Sequence, residues 1–255
     1  MTGVQTCALP ISVLDHGYVM LVDSMGTDLS VVNAARASFG KRSTYLSESD
    51  IKLINYLASH GHTSPFRHAT LTFEIKAPIM VARQWFKYRV GSVHSDDTSA
   101  WFGAGDESSD DPLYGRNEAS RRYVTMAPEF YVPSYLRTQS ADKKQGSSKD
   151  PHPESYAFVN AMSQIFSTLN AMYHDMLMRG VAPEQARLIL PGYALYTSWH
   201  WTCSLQGLIH FLKQRLGSDA QDEITQYARA CHVIAEPLFA ESFKAFGLHN
   251  EKPPA

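Results

Sequence analysis

The 255-residue chain is 44% hydrophobic and 19% charged, with a formal net charge of −2. That is enough apolar material for a sizeable core in one large domain or two small ones, and it gives no general attraction for a nucleic-acid polymer, so a basic cluster here serves a small anion. No run of about 18 apolar residues occurs, which excludes a helical membrane span; three cysteines, Cys7, Cys203 and Cys231, odd in number and without metal-ligand spacing, point to a reducing cytoplasm and to no metal site.

Residues 1–12 resemble translated sequencing-adapter sequence and are set apart as non-native, so that the native chain is expected to survive from Val13, with one domain over 13–250 and a tail over 251–255. Residues 16–23 are apolar and β-branched, as in a strand. A helix follows, capped by Asp28, with Leu29, Val32 and Ala35 on its apolar face and Gly40 as its stop. Ser47, with Asp50 three residues on, opens another helix that carries Ile51, Ile54 and Leu57 on one face and stops at Gly61. Residues 70–76 alternate, placing Leu71, Phe73 and Ile75 on one side of a half-buried strand.

Pro78 suits the first turn of a helix. At about 100° per residue, Arg83, Gln84, Lys87 and Tyr88 share an arc of roughly 140° on it, while Ile79, Ala82 and Phe86 pack elsewhere. Residues 94–116 set Asp96, Asp97, Asp106, Glu107, Asp110 and Asp111 against Arg116 among glycines, the composition of an acidic insertion loop pointing to solvent. Residues 138–153, rich in Ser, Lys, Asp and Pro, read as a surface loop. Val159, Met162, Phe166, Leu169, Tyr173 and Met176 then repeat as the core stripe of a long helix closed by Gly180. A short helix runs from Pro183 to Leu190. Ser204 caps the next, through Arg215, with Leu205, Leu208, Ile209 and Leu212 inward; Asp219 caps the last, which Pro237 kinks or divides.

Arg and Lys at helical spacing usually make a solvated or salt-bridged face, but the company they keep here is unusual. Gln84 can pair with an imide edge, Asn117 and Glu118 add a donor and acceptors, and Ser120 adds a hydroxyl. Arg121, Arg122, Arg187 and Arg215 can make bidentate contacts to phosphate or carbonyl oxygens. A uracil nucleotide offers those complements. Ser120 reads as a hydrogen-bonding ligand and not a nucleophile, because no His-Asp relay stands beside it. Cys203 and Cys231 read as packing residues, and without a G-x-G-x-x-G loop a Rossmann flavoprotein is unsupported.

Arg83-Gln84-Trp85-Phe86-Lys87-Tyr88-Arg89-Val90-Gly91-Ser92, followed after the insertion by Asn117-Glu118-Ala119-Ser120-Arg121-Arg122-Tyr123, resembles the signature of the flavin-dependent thymidylate synthases. Lys87-Tyr88 stands where the family commonly has Arg-His, and residues 94 to 116 interrupt the motif, as in its phage-like branch. Val13-Leu14-Asp15-His16-Gly17, Ala34-Ala35-Arg36-Ala37-Ser38-Phe39, Gly61-His62-Thr63-Ser64-Pro65-Phe66 and Ala186-Arg187-Leu188-Ile189-Leu190-Pro191 look like further family blocks in family order.

The resemblance implies an α+β fold with a central, mainly antiparallel sheet flanked by helices; periodicity makes the C-terminal half helix-rich. It implies dUMP methylation to dTMP, with FAD as cofactor and NADPH and 5,10-methylenetetrahydrofolate as co-substrates. For dUMP it points to Gln84, Lys87, Glu118, Ser120, Arg121, Arg122 and Arg187, and to Arg215 as the catalytic residue that holds a pyrimidine carbonyl and favours the N3-deprotonated ring. For FAD it points to Ser38, His62, Lys87, Tyr88, Arg89 and Glu118, and to Ser204, Gln206 and His210, where the family usually has Asn, Arg and Asn. It further implies a homotetramer whose FAD sites are shared between subunits, in the cytoplasm of a bacterium, or of a host if the gene is phage-borne. Two other readings stay open: a flavin or nucleotide binder without turnover, and a helical interaction protein whose basic patch meets an acidic partner.

Overall fold

The protein is described here from a computed structural model over residues 9–88, 116–118, 127–140, 146–248 and 253–254. Period-two alternation builds its centre. Five strands, β1 (Ile11–Val13), β2 (Gly17–Met25), β3 (Thr70–Pro78), β4 (Arg116–Glu118) and β7 (Tyr196–Ser204), form one sheet in the order β1-β2-β3-β7-β4, antiparallel throughout. A separate hairpin joins β5 (Arg137–Gln139) to β6 (Ser147–Pro151). The α+β architecture with an antiparallel sheet is therefore as the sequence implied. Along β3 Leu71, Phe73 and Ile75 are buried, each between half-exposed neighbours, and Ala77 and Pro78 are both buried at its end. Ile11 and Ser12, from the segment set apart above, pair with Val19 and Tyr18 of β2.

The helices are α1 (Asp28–Arg36), α2 (Glu48–Ser59), α3 (Ile79–Trp85), α4 (Ser155–Met178), α5 (Pro183–Ala186), α6 (Leu205–Arg215) and α7 (Asp222–Ala245). The Ser47/Asp50 capping box at α2 and the Ser204 cap of α6 form as expected. Sheet, α3, α6 and α7 close over an aromatic core in which Trp85 stacks on Phe211 at 4.5 Å and meets Trp199 and Trp201 edge-on. Each large side chain so buried contributes roughly 1.5–3 kcal/mol.

Several local expectations are corrected. Thr27, not Asp28, occupies the N-cap of α1. Asp28 is buried instead against α7, where Pro237 cannot donate and the helix kinks at Phe239 (φ −136°, ψ 35°). The kink frees the amides of Glu241 and Ser242, and the Asp28 carboxylate accepts both, at 2.9 and 3.0 Å, together with the Ser242 hydroxyl. Asp28 thus caps the second half of α7. Asp219 does not cap α7, whose N-cap position is Gln221. The strand β7 was not anticipated, although Trp199, Trp201 and Cys203 alternate with exposed His200 and Thr202. The expected core stripe of α4 faces inward but is only partly covered: Tyr173 is buried and Val159, Met162, Phe166, Leu169 and Met176 are half-buried, while Phe158, Ile165 and Met172 beside it are exposed. The 138–153 stretch is the β5–β6 hairpin and not an irregular loop, apart from residues 141–145, which lie outside the described residues. Of the insertion, residues 94–115 also lie outside them, and Arg116 opens β4.

Candidate active site

The chain passes directly from β3 into α3 at Pro78, whose extended ψ of 146° ends the strand as its ring starts the helix. Buried Trp85 then fixes the helix against the core and leaves its neighbours Gln84 and Lys87 on a cleft of about 540 Å³. The helical face anticipated from the sequence stops short: α3 ends at Trp85, so Lys87 and Tyr88 follow it in non-helical backbone, and Arg83 is exposed and does not line the cleft. Arg215 reaches the same cleft from the C-terminal end of α6. Asp219 and Gln221, before α7, and Arg137, Gly146 and Ser147, from the β5–β6 hairpin, complete the lining. Gln221 is joined to Gln84 by a side-chain hydrogen bond from the Gln84 amide.

Arg215 is the best-prepared group there. Its guanidinium carbon lies 4.7 Å from the centre of the Tyr88 ring, a cation–π distance, and its Nε is buried with no partner among the described residues. A buried donor without an acceptor is costly unless a ligand supplies one. Burial raises the Tyr88 pKa, against the opposing charge of Arg215, so its phenol stays protonated at neutral pH. Tyr88 also packs on His210, ring centres 5.7 Å apart. Burial, then the Lys213 charge, lowers the His210 pKa, which keeps that ring neutral at physiological pH.

A family profile described as "Thymidylate synthase complementing protein" matches residues 20–239. The flavin-dependent thymidylate synthase of Thermus thermophilus is 40% identical over 242 residues, 94% of this chain and 79% of the relative. That of Thermosipho africanus is 37% identical over 92% of both chains. The chain belongs to the flavin-dependent thymidylate synthases. Among solved structures, the UMP/dUMP methylase PolB of Streptomyces cacaoi bound with 5-Br dUMP superposes with a TM-score of 0.74 at 28% identity, over 96% of this chain and all of that one.

Family membership makes the disposition of the remaining expected residues informative. Gln206 accepts from Arg67 Nε at 2.6 Å, which places Arg67, on the 3-10 turn Ser64–His68 and unassigned by sequence reasoning, at the N-terminal end of α6. Ser204 is buried, with its oxygen committed to the Gly207 amide at 3.1 Å as the helix cap. Ser38 and His62 are exposed, His62 lying parallel to Tyr56 and His60. Both α1, which leads into Ser38, and α6 pack on the 64–68 turn. Glu118 is exposed on β4 and accepts from Thr197 at 2.9 Å. Arg187 is exposed, bonded to the Glu184 carbonyl at 3.3 Å, and does not line the cleft. Arg89, Ser120, Arg121 and Arg122 lie outside the described residues.

A flavin dinucleotide brings a planar ring and a pyrophosphate. Cationic Arg67 and Lys87, the orphaned Arg215 donor and the flat faces of Tyr88, His210 and His62 fit both parts. Arg137, Gly146, Ser147, Asp219 and Gln221 are the cleft residues that sequence reasoning did not assign to a site. Strands of three and five residues are too short for periodicity to reveal, and a Ser- and Lys-rich composition concealed the hairpin.

Proposed function

We propose that the chain methylates dUMP at C5 to dTMP, with the nucleotide in the cleft between α3, the end of α6 and the start of α7. The observation that carries this is the convergence of Gln84, Lys87 and Arg215, from separate elements, on one cavity with an unsatisfied arginine donor in it. Gln84 is suited to the imide edge of uracil and Lys87 to the phosphate. Arg215, held by Tyr88 in a partly buried setting, would stabilise the charge that develops on the pyrimidine when N3 is deprotonated, raising its nucleophilicity. Ser120, Arg121 and Arg122 are assigned to the same nucleotide, with Glu118 beside them, and Arg187, which does not line this cleft, to the nucleotide of a neighbouring subunit.

FAD is the cofactor in this reading, held through Ser38, His62, Lys87, Tyr88, Arg89, Glu118, Ser204, Gln206 and His210. The bound flavin supplies the reducing equivalents, drawn from NADPH, while 5,10-methylenetetrahydrofolate supplies the carbon. The chain's own part is to orient the nucleotide, tune its protonation and exclude water. These residues belong to a homotetramer with shared sites, located in the cytoplasm, and the 94–116 insertion stays outside the catalytic centre. Supporting assembly, the 24-residue α4 exposes Phe158 at 47%, Ile165 at 55% and Met172 at 52%, seven residues apart on one face, an apolar stripe that a second copy would cover. Among the described residues no helix is long and apolar enough to cross a membrane.

The test is oxidation of NADPH by the yellow purified protein with dTMP as product. It should require both dUMP and the folate. Arg215→Lys should keep fold and flavin absorbance and lose most turnover, because a compact ammonium cannot hold a carbonyl as a planar fork does. Undiminished dTMP formation by that variant removes the role given to Arg215, and a colourless wild-type protein removes the reading.

A further inference from the structure

The β5–β6 hairpin contributes to the cleft a cation that neither the sequence signature nor the resemblance assigned. Arg137 Nη2 donates to Glu223 Oε1 at 2.7 Å, and its Nε donates to Ser147 Oγ at 2.6 Å. Its Nη1 lies 3.7 Å from Asp222 Oδ2, beyond hydrogen-bond length, and makes no hydrogen bond among the described residues. Glu223 is 5% exposed, and its second carboxylate oxygen has no partner among the described residues. Two carboxylates in the first turn of α7 thus hold a guanidinium at the wall of the cleft with one fork nitrogen uncommitted.

The charges around that nitrogen select what it meets. Asp222 and Glu223, behind Arg137, together outweigh its single charge, and Asp219 is the one carboxylate among the residues that line the cleft. A phosphate dianion on this side would face the Asp219 carboxylate directly, with the charge of Arg137 already offset by the two carboxylates behind it. A neutral oxygen acceptor meets no such penalty and gains a charge-assisted hydrogen bond. The cationic side of the cleft, at Lys87, is left for the anion.

We propose that Arg137 is a nucleotide-recognition residue whose Nη1 donates to a neutral oxygen of the nucleoside, a pyrimidine carbonyl or a deoxyribose oxygen, with Glu223 as its positioning partner and the hairpin as the nucleoside-side wall. The proposal rests on the reading of this cleft as the dUMP site. It makes the hairpin part of substrate recognition, although the sequence gives it the composition of a surface connection.

The test uses the FAD-loaded assembled protein. Arg137→Met alone leaves Glu223 buried and unpaired, so the informative variant is Arg137→Met with Glu223→Leu, which removes both charges. Calorimetric titration with dUMP reads affinity. Deoxyuridine and inorganic phosphate, each as competitor against dUMP, read the nucleoside and anion halves separately, and flavin content and melting temperature report the fold. The expected result is an affinity loss of about thirtyfold for dUMP and a similar loss for deoxyuridine, with phosphate competition and flavin content unchanged. Lys87→Met, measured alongside, should weaken both dUMP and phosphate. Unchanged dUMP affinity in the double variant, or a loss confined to the phosphate arm, overturns the role of Arg137. If Lys87→Met also leaves dUMP unaffected, the cleft assignment itself falls.

Discussion

The sheet core and the α4 layer bury their apolar residues to very different extents. Around Trp85, aromatic rings from α3, β7 and α6 meet at 4.5–5.4 Å, and Trp85, Trp199, Trp201 and Phe211 are all buried. Around Tyr173 the second cluster buries only Ala186, Leu190 and Leu195 besides, and among the described residues the rest of the apolar stripe of the 24-residue α4 is half-covered, as where Phe166 meets Phe130. One region is finished by its own sequence, whereas the other has an apolar stripe of correct period that the described residues cover only in part. An amphipathic pattern therefore states that a face will be buried, and not by what. The cleft borders the finished region where buried Trp85 fixes Gln84 and Lys87.

The comparison is most severely tested at its dense end. Trp85→Ala should cost about 4 kcal/mol, since a large cavity would open among rings that cannot collapse onto it. The same variant should loosen Gln84 and Lys87 and weaken dUMP. Tyr173→Ala, in the sparse cluster, should cost less than half as much by urea unfolding, and equal losses would erase the distinction between the regions. Next in size, Asp28→Ala strands the freed amides of Glu241 and Ser242 at the α7 kink, for an expected loss of about 2–3 kcal/mol. A loss under about 0.5 kcal/mol, the range of an ordinary surface change, would mean that water replaces the cap.

These sites also mark what could be read from the sequence. Alternation in β3, the Ser47/Asp50 box and the Ser204 cap are local devices, visible within four to nine residues. Gln84, Lys87 and Arg215 were legible because a family signature and helix periodicity agreed on them. Asp28 was misassigned because capping a neighbouring helix looks identical, in sequence, to capping its own; the partner lies 213 residues away. Arg137 and Asp219 were overlooked for a related reason. Their role depends on β5, β6 and α7 meeting across the cleft, and no local pattern records that meeting. The strand β7 carried a readable alternation, hidden between two stretches of helical period.

At the sparse end, Ile165→Glu combined with Met172→Glu places two charges on one face of α4, seven residues apart. The fold of the single chain should change by no more than about 0.5 kcal/mol, because both side chains are exposed within it. Assembly should not survive. Light scattering is expected to fall toward the mass of one chain while the near-ultraviolet signal of the buried tryptophans is kept. Retention of the full assembled mass would mean that α4 is not the contact, and loss of the tryptophan signal would mean that the two regions fold as one.

The smallest effect belongs to His210, at the rim of the dense region, and it carries a definite sign. Burial, with help from Lys213, lowers its pKa in the folded chain, so between that value and the ordinary histidine pKa of about 6.5 the unfolded chain binds more protons. Stability is then fully present above about pH 6.5 and is lost as pH falls through the window below it. His210 is largely exposed, so solvent screens most of this and the contribution is small. Melting temperatures of wild type and His210→Gln, compared at pH 7.5 and 5.5, should show the wild type losing on the order of 1 °C more over that interval. A wild type that instead gains stability relative to the variant on acidification would mean that the protonated ring is favoured there, and that an acidic neighbour outweighs both burial and Lys213.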